Sequence, residues 1–315
     1  MSFSGISNEA QVIELFRRRW HTWRMEIITG MRRRTSPAIS LALILLGVPS
    51  TRPLNAGQLS PETAAAFEQH IRSKEALDAR TLSDPKHFLR IDGLQEVERE
   101  QAYARLKRGD ILIGSDAAQG TSLHSIPGGL IHDWIGLVFV PSISMQQAVA
   151  ALQDYGDDTD YYRPQVLKAK LLDRSGDDFH VFLRLRQTHG ITVVFDTEYD
   201  IRYTQLDATH AYSRSYSTRI AEVEYPGQER EHEAPPADDR GFLWRLYSYW
   251  RFLEADGGVY IQCNAISLTR DVPAGLGWIV RPFIEKIPRE SLSFTLDATR
   301  KALVSKFSAA SRSAQ

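Results

Sequence analysis

The sequence predicts an α+β fold, with an N-terminal helical lead-in, a seven-stranded antiparallel sheet and one long C-terminal helix. Three observations predict it. Seven strand-like runs follow one another between Leu130 and Arg270, mostly separated by turn chemistry. One of them, Ile191–Thr204, alternates strictly, with Ile191, Val193, Phe195, Thr197, Tyr199, Ile201 and Tyr203 on one face. Near the C-terminus Leu292, Leu296, Thr299 and Leu303 recur at spacings of four, three and four, which is one stripe of a helix.

Taken in order, the first helix opens at Ser60, an N-cap residue, with Pro61 at the first helical position, and runs to about Arg80. A second helix covers Gly93–Lys107 and stops at Gly109. A short strand is read at Ile111–Ile113, and residues 114–129 read as loop. Ile131–Val140, closed by Pro141, is the first long strand. Ser144 and Gln147 form a capping box that opens a helix reaching Asp154. Six strands follow: Val166–Asp173, Phe179–Thr188, Ile191–Leu206, Ala211–Val223, Phe242–Leu253 and Val259–Arg270. Turns such as His189-Gly190 and Asp256-Gly257 separate them. The charged segment 224–241, with Pro235-Pro236, reads as an exposed loop. The last helix is read from Pro288 to Phe307, with 308–315 as a disordered tail. Its apolar stripe needs a partner, and the inward face of the sheet is the one available.

The chain has 315 residues, a net charge of −1, 43 % hydrophobic residues and one cysteine. This composition excludes wholesale disorder and a disulfide scaffold. The charge is unevenly spread. Residues 1–56 hold eight arginines and three acids; the rest of the chain, from totals of 38 basic and 39 acidic residues, nets −6. That balance argues against nucleic acid as a partner. The split falls at Arg32-Arg33-Arg34, the apolar run Ala38–Val48 and the small-residue site Leu54-Asn55-Ala56, the order of a secretory signal peptide. The expectation is a start at Met31, residues 1–30 as an upstream extension, a signal at 31–56 and a helical lead-in at 57–129. Secretion or a periplasmic location follows, with no stable transmembrane anchor after cleavage. An uncleaved anchor with a basic flank is the other reading of the same residues.

No motif names a reaction. There is no Gly-x-Ser-x-Gly turn, no phosphate loop and no zinc spacing around His232. Asp157, Asp158 and Asp160 lack the calcium-loop pattern, so no metal and no cofactor are expected. His132 and Trp134 share a strand face. His132 is either a general base or a hydrogen-bonded structural residue. The rows Tyr212/Arg214/Tyr216 and Arg245/Tyr247/Tyr249/Arg251 face either an interior or solvent. In the latter strand the even set is more apolar, which favours Trp244 and Trp250 inward.

The strand order, Ile131-His132-Asp133-Trp134-Ile135-Gly136, Leu243-Trp244-Arg245 with Tyr249-Trp250-Arg251, and Ser267-Leu268-Thr269-Arg270-Asp271-Val272-Pro273 resemble the START-like, or SRPBCC, superfamily over about residues 130–307. Uncharacterised secreted bacterial members are the nearest in pattern, with Asn264 standing where relatives carry an acid. The resemblance implies a helix-grip fold, a seven-stranded sheet wrapped around the C-terminal helix. It also implies a cavity for a hydrophobic or amphipathic small molecule such as a lipid, quinone or polyketide-like compound. Trp134, Phe195, Tyr199, Tyr203, Trp244 and Trp250 are the expected walls, and Leu292, Leu296 and Thr299 the lid. A cyclase or aromatase using the same cavity, with His132 as its proton carrier, and a non-binding interaction module are the alternatives.

Overall fold

Alternation sorts the side chains of each long strand onto two faces, and in this protein both faces of the central strands are covered. The computed structural model describes residues 59–313 apart from 116–121, 157, 190, 237–239 and 272–276. The expected signal peptide and upstream extension lie outside the described residues. The contacts below belong to one compact unit, Gly57–Gln187 with Val193–Gln315.

The strands are β1 (Leu112–Ser115), β2 (Leu123–Ile126), β3 (Gly129–Pro141), β4 (Val166–Ser175), β5 (Asp178–His189), β6 (Ile191–Gln205), β7 (His210–Glu224), β8 (His232–Glu233), β9 (Arg245–Ala255) and β10 (Gly258–Arg270). The helices are α1 (Pro61–Leu82), α2 (Glu96–Lys107), α3 (Met145–Leu152), α4 (Asp158–Tyr161) and α5 (Gly277–Ser313). The sheet runs β1-β3-β10-β9-β7-β6-β5-β4, with β2 on β3 and β8 on β7. The seven expected strands form the continuous path β3-β10-β9-β7-β6-β5-β4. Three short strands are additional, so the sheet has ten strands and not seven. β2 lies in the stretch read as loop, and β8 in the charged 224–241 segment, where two residues pair with Val223 and Glu224. Such short pairings carry no periodicity to read.

The caps are as the sequence implies. Ser60 accepts a hydrogen bond from Thr63 N, and Ser144 and Gln147 close a reciprocal box on α3. The C-terminal helix is longer than expected at both ends. It starts at Gly277 rather than Pro288 and continues to Ser313, through the expected tail. Proline suits a first helical turn, but here Pro282 and Pro288 sit within the helix.

One face of the sheet, the inner face, meets α5. Register places Val138, Gly136, Trp134 and His132 of β3 opposite Ile261, Cys263, Ala265 and Ser267 of β10, and those opposite Phe252, Trp250, Ser248 and Leu246 of β9. Val138, Phe252, Ile261 and Cys263 pack with Leu292, Leu296 and Leu303 of α5. A β-carbon on Gly136 would lie 2.3 Å from Leu296 Cδ1 and 2.7 Å from Ile113 Cδ1. The Leu296 side chain therefore rests directly on the backbone of β3 at this residue.

On β6 the outer face is open to water, with Asp200, Arg202 and Thr204 exposed, but over β3, β10 and β9 it carries α1, α2 and the chain between them. Phe67 and Ile71 pack on Ile131, Tyr247, Ile266 and Leu268, while Phe88, Leu89, Ala102 and Leu106 pack on Ile135, Leu137, Phe139 and Tyr260. The buried stripe of α1 is Thr63, Phe67, Ile71, Lys74 and Asp78. Its spacing is helical, but three of its members are polar, which hides it from a hydrophobic periodicity. Asp78 accepts from Lys74 Nζ at 2.8 Å and from Arg251 Nη2 at 2.7 Å, all three being buried. Arg251 also donates to Thr81 Oγ1 and to the Phe88 carbonyl. Glu75 accepts from the hydroxyls of Tyr216 and Tyr249.

Two outcomes test this packing by urea unfolding. Gly136→Val is expected to destabilise by about 1–3 kcal/mol, the range for forced overpacking. Asp78→Ala leaves two buried cations without their carboxylate and is expected to cost about 3 kcal/mol. An unchanged midpoint in either variant contradicts the corresponding contact.

Candidate functional site

The inner face is filled at one end and open at the other. Beyond Gly136, Val138, Val140, Phe252, Val259 and Ile261 are buried against Leu303, Ile143 and Met145. In the next register row the pattern changes. Trp134, Ala265 and Ser248 are directly paired neighbours on the three central strands, and each is only half-buried. On β3 and β10 the residues flanking this row are buried on both sides. Small residues continue the row outward. Ser215 pairs with Ser248 and with Ile201, while Ser213 and Ser217 lie on the same face, and all three are buried.

Most of the residues expected from the sequence converge here. Trp134 and Trp250 lie on the inner face beside Leu292 and Leu296. Phe195 and Tyr199 are buried on the same face of β6. Tyr203 is also on that face, but its hydroxyl is held by Tyr155 Oη at 3.1 Å and the Leu152 carbonyl at 3.2 Å. Thr299 likewise meets Tyr162 Oη at 2.8 Å and donates to the Thr295 carbonyl. These two residues close the interior by joining its walls. Trp244 was expected inward, and the structure corrects this. It lies with Phe67, Tyr247 and Leu268 on the outer face, because it precedes β9 and its backbone N–H bonds the Leu268 carbonyl.

The aromatic-basic rows are resolved in a way neither reading anticipated. Tyr247, Tyr249 and Arg251 face neither the interior nor solvent but the underside of α1. Burial, with Glu75 close by, raises the Tyr249 hydroxyl well above the usual tyrosine range. Asn264 is on this outer face too. It donates to Asp133 Oδ1 at 2.7 Å, and Asp133 Oδ2 faces His70 Nε2 at 3.3 Å. The departure at Asn264 therefore concerns how α1 is held and not the inner face.

His132 is 1 % exposed and points inward. Its Nε2 lies 3.1 Å from Thr269 Oγ1, and its Nδ1 is buried with no hydrogen-bond partner. Burial lowers its pKa to about 4, so the ring is neutral at pH 7. The indole N–H of Trp134 and the hydroxyl of Tyr199 are also buried without a hydrogen bond. Burial pushes the Tyr199 hydroxyl up to about 12. The Trp250 indole, by contrast, donates to Ser248 Oγ at 3.2 Å. Among the described residues no group of three or more His, Cys, Asp or Glu is arranged to hold a metal ion, and no helix is long and apolar enough to cross a membrane.

No family model and no curated protein matches the sequence. Solved structures do match. A STAR-related lipid transfer protein fragment from Xanthomonas axonopodis is 17 % identical, covering 59 % of this chain and 99 % of its own, at a TM-score of 0.40. A Thermus thermophilus protein is 12 % identical, covering 55 % and 97 %, at a TM-score of 0.41. Human STARD10 is 10 % identical, covering 66 % and 81 %, at a TM-score of 0.38.

The pH dependence of stability tests the buried imidazole. A histidine whose folded pKa lies below its unfolded value binds its proton more weakly in the native state. Stability is therefore full above about pH 6.5 and is lost as pH falls toward 4, by about 3 kcal/mol in all. His132→Phe is expected to flatten this part of the profile, read from unfolding midpoints between pH 4 and 7. Parallel profiles for the two proteins contradict a neutral buried ring. The strand path β3-β10-β9-β7-β6-β5-β4, closed by one long C-terminal helix, is the α+β helix-grip arrangement that the sequence predicts.

Proposed function

We propose that this protein binds a hydrophobic or amphipathic small molecule in the interior between the sheet and α5. The observation that carries the reading is the half-buried row Trp134–Ala265–Ser248. These residues lie at the centre of the sheet, where the flanking residues of β3 and β10 are buried and Trp250 and Leu246 of β9 are half-buried with them. A filled core would bury them equally. Aromatic walls with a few polar groups are the usual lining of a small-molecule site. Removing apolar ligand surface from water contributes roughly 25 cal/mol per Å² before ordering costs.

The candidate walls are Trp134, Phe195, Tyr199 and Trp250, with Leu292 and Leu296 above them. Lipids, quinones and polyketide-like compounds are the guest classes in view. A proton-transfer role needs two titratable groups in reach of one another. The hydrogen bond of His132 goes to Thr269, which does not titrate at ordinary pH. Carrier or receptor function is therefore the reading pursued. The signal-peptide pattern of residues 31–56 supports action outside the cytoplasm, and the mass of the mature N-terminus tests that.

The neutral fluorophore N-phenyl-1-naphthylamine probes the site directly. It is expected to bind the purified protein with enhanced emission. Ala265→Phe, which fills the row, is expected to weaken this at least tenfold while thermal unfolding stays cooperative. Equal binding by the two proteins places the fluorophore elsewhere and removes the support for this interior.

A further inference from the structure

The polar atoms of the inner face define what kind of guest it takes. His132 and Trp134 are two residues apart on β3 and share the face that meets α5. The Thr269 hydroxyl is turned to the Arg270 carbonyl at 3.4 Å, so the neutral His132 ring donates through Nε2 to Thr269 Oγ1. Nδ1 is then left as a bare acceptor, buried and unpaired. Two residues along, the Trp134 Nε1–H is a bare donor, also buried and unpaired. An orphaned polar atom in a dry interior is costly, and native proteins retain few of them. One acceptor and one donor are thus carried by side chains two residues apart on one face of β3.

We propose that the guest carries an uncharged hydroxyl on its apolar body, donating to His132 Nδ1 and accepting from Trp134 Nε1–H. This rests on the binding function proposed above. The strand period is compatible with it: α-carbons two residues apart are about 6.5 Å from one another, and one oxygen hydrogen-bonded on both sides spans about 5.7 Å. A carboxylate has no proton to give to Nδ1. It would also bring a charge into a desolvated space with no cation among the groups of this row. A carbonyl or ether can answer Trp134 but leaves Nδ1 unpaired. Only a group with both a donor and an acceptor satisfies the two atoms.

The test uses four probes of one shape: naphthalene, 2-methoxynaphthalene, 2-naphthol and 2-naphthoate, each displacing N-phenyl-1-naphthylamine at pH 7. 2-Naphthol is expected to bind about tenfold more tightly than naphthalene, with 2-methoxynaphthalene between them and 2-naphthoate weakest. His132→Phe and Trp134→Phe are each expected to reduce the ratio of 2-naphthol to naphthalene affinity to about twofold or less, whatever their effect on naphthalene itself. Cooperative thermal unfolding shows that each variant is folded. Equal binding of naphthalene and 2-naphthol to the unaltered protein overturns the hydroxyl proposal but leaves the apolar site standing. A hydroxyl advantage that survives in both variants also overturns it, as does tighter binding of 2-naphthoate. If none of the four displaces the fluorophore, the apolar-site reading fails, and this proposal with it.

Discussion

Leu296 of α5 lies where a β-carbon of Gly136 would be, and this contact organises the interior. Only a residue without a side chain lets the helix touch the backbone of β3. The helix axis is pinned there, close to the sheet. Toward Leu303 the large side chains Val138, Phe252 and Ile261 fill the space beneath it. Toward Trp134 the facing residues are Ala265 and Ser248, which stay half-buried beneath it. One point of contact thus separates a fully buried end from a less buried one. The buried end holds the helix.

The outer face supplies the rigidity that an incompletely filled interior lacks. The core of a helix-grip sheet is normally shared with the C-terminal helix, and here part of that shared core is missing. The lead-in compensates by burying Phe67, Ile71, Phe88 and Leu106 against the opposite side of the same central strands. Its polar ties do a different job from its apolar ones. The buried Asp78–Arg251 pair costs desolvation and is a weak source of net stability, but removal of one partner strands the other. It fixes where α1 sits along β9, since an arginine fork engages Asp78, Thr81 and the Phe88 carbonyl together. The central strands are therefore held from behind while their front remains half-open.

Around His132 the inner face is electrically quiet. His132 is neutral, the Tyr199 hydroxyl is far from ionising, and Lys74, Asp78, Glu75 and Arg251 lie behind the sheet, while the buried carboxylate of Glu222, paired across from Phe195, is matched by Arg240. Alternation along the strands achieves this separation. Arg251 and Trp250 are adjacent in sequence, yet one is tied to α1 and the other packs near α5.

By itself the sequence determined the elements whose signal is local. Ser60 and Pro61, the Ser144–Gln147 box, the turns between strands and the alternation of β6 are all decided by neighbouring residues, so the long strands and main helices were legible. So was the stripe Leu292, Leu296 and Leu303, because apolar residues at helical spacing need a partner. Tertiary structure decided everything that depends on a distant segment. The stripe of α1 is half polar, and only the sheet behind it shows that Lys74 and Asp78 are buried. Trp244 looked like its neighbour Trp250, but its backbone bond to Leu268 turns it to the other face. β2 and β8 are too short to carry a period. The open row exists only through register, because Trp134, Ala265 and Ser248 are far apart in the chain. Their small and aromatic side chains become a site when three strands and one helix bring them together.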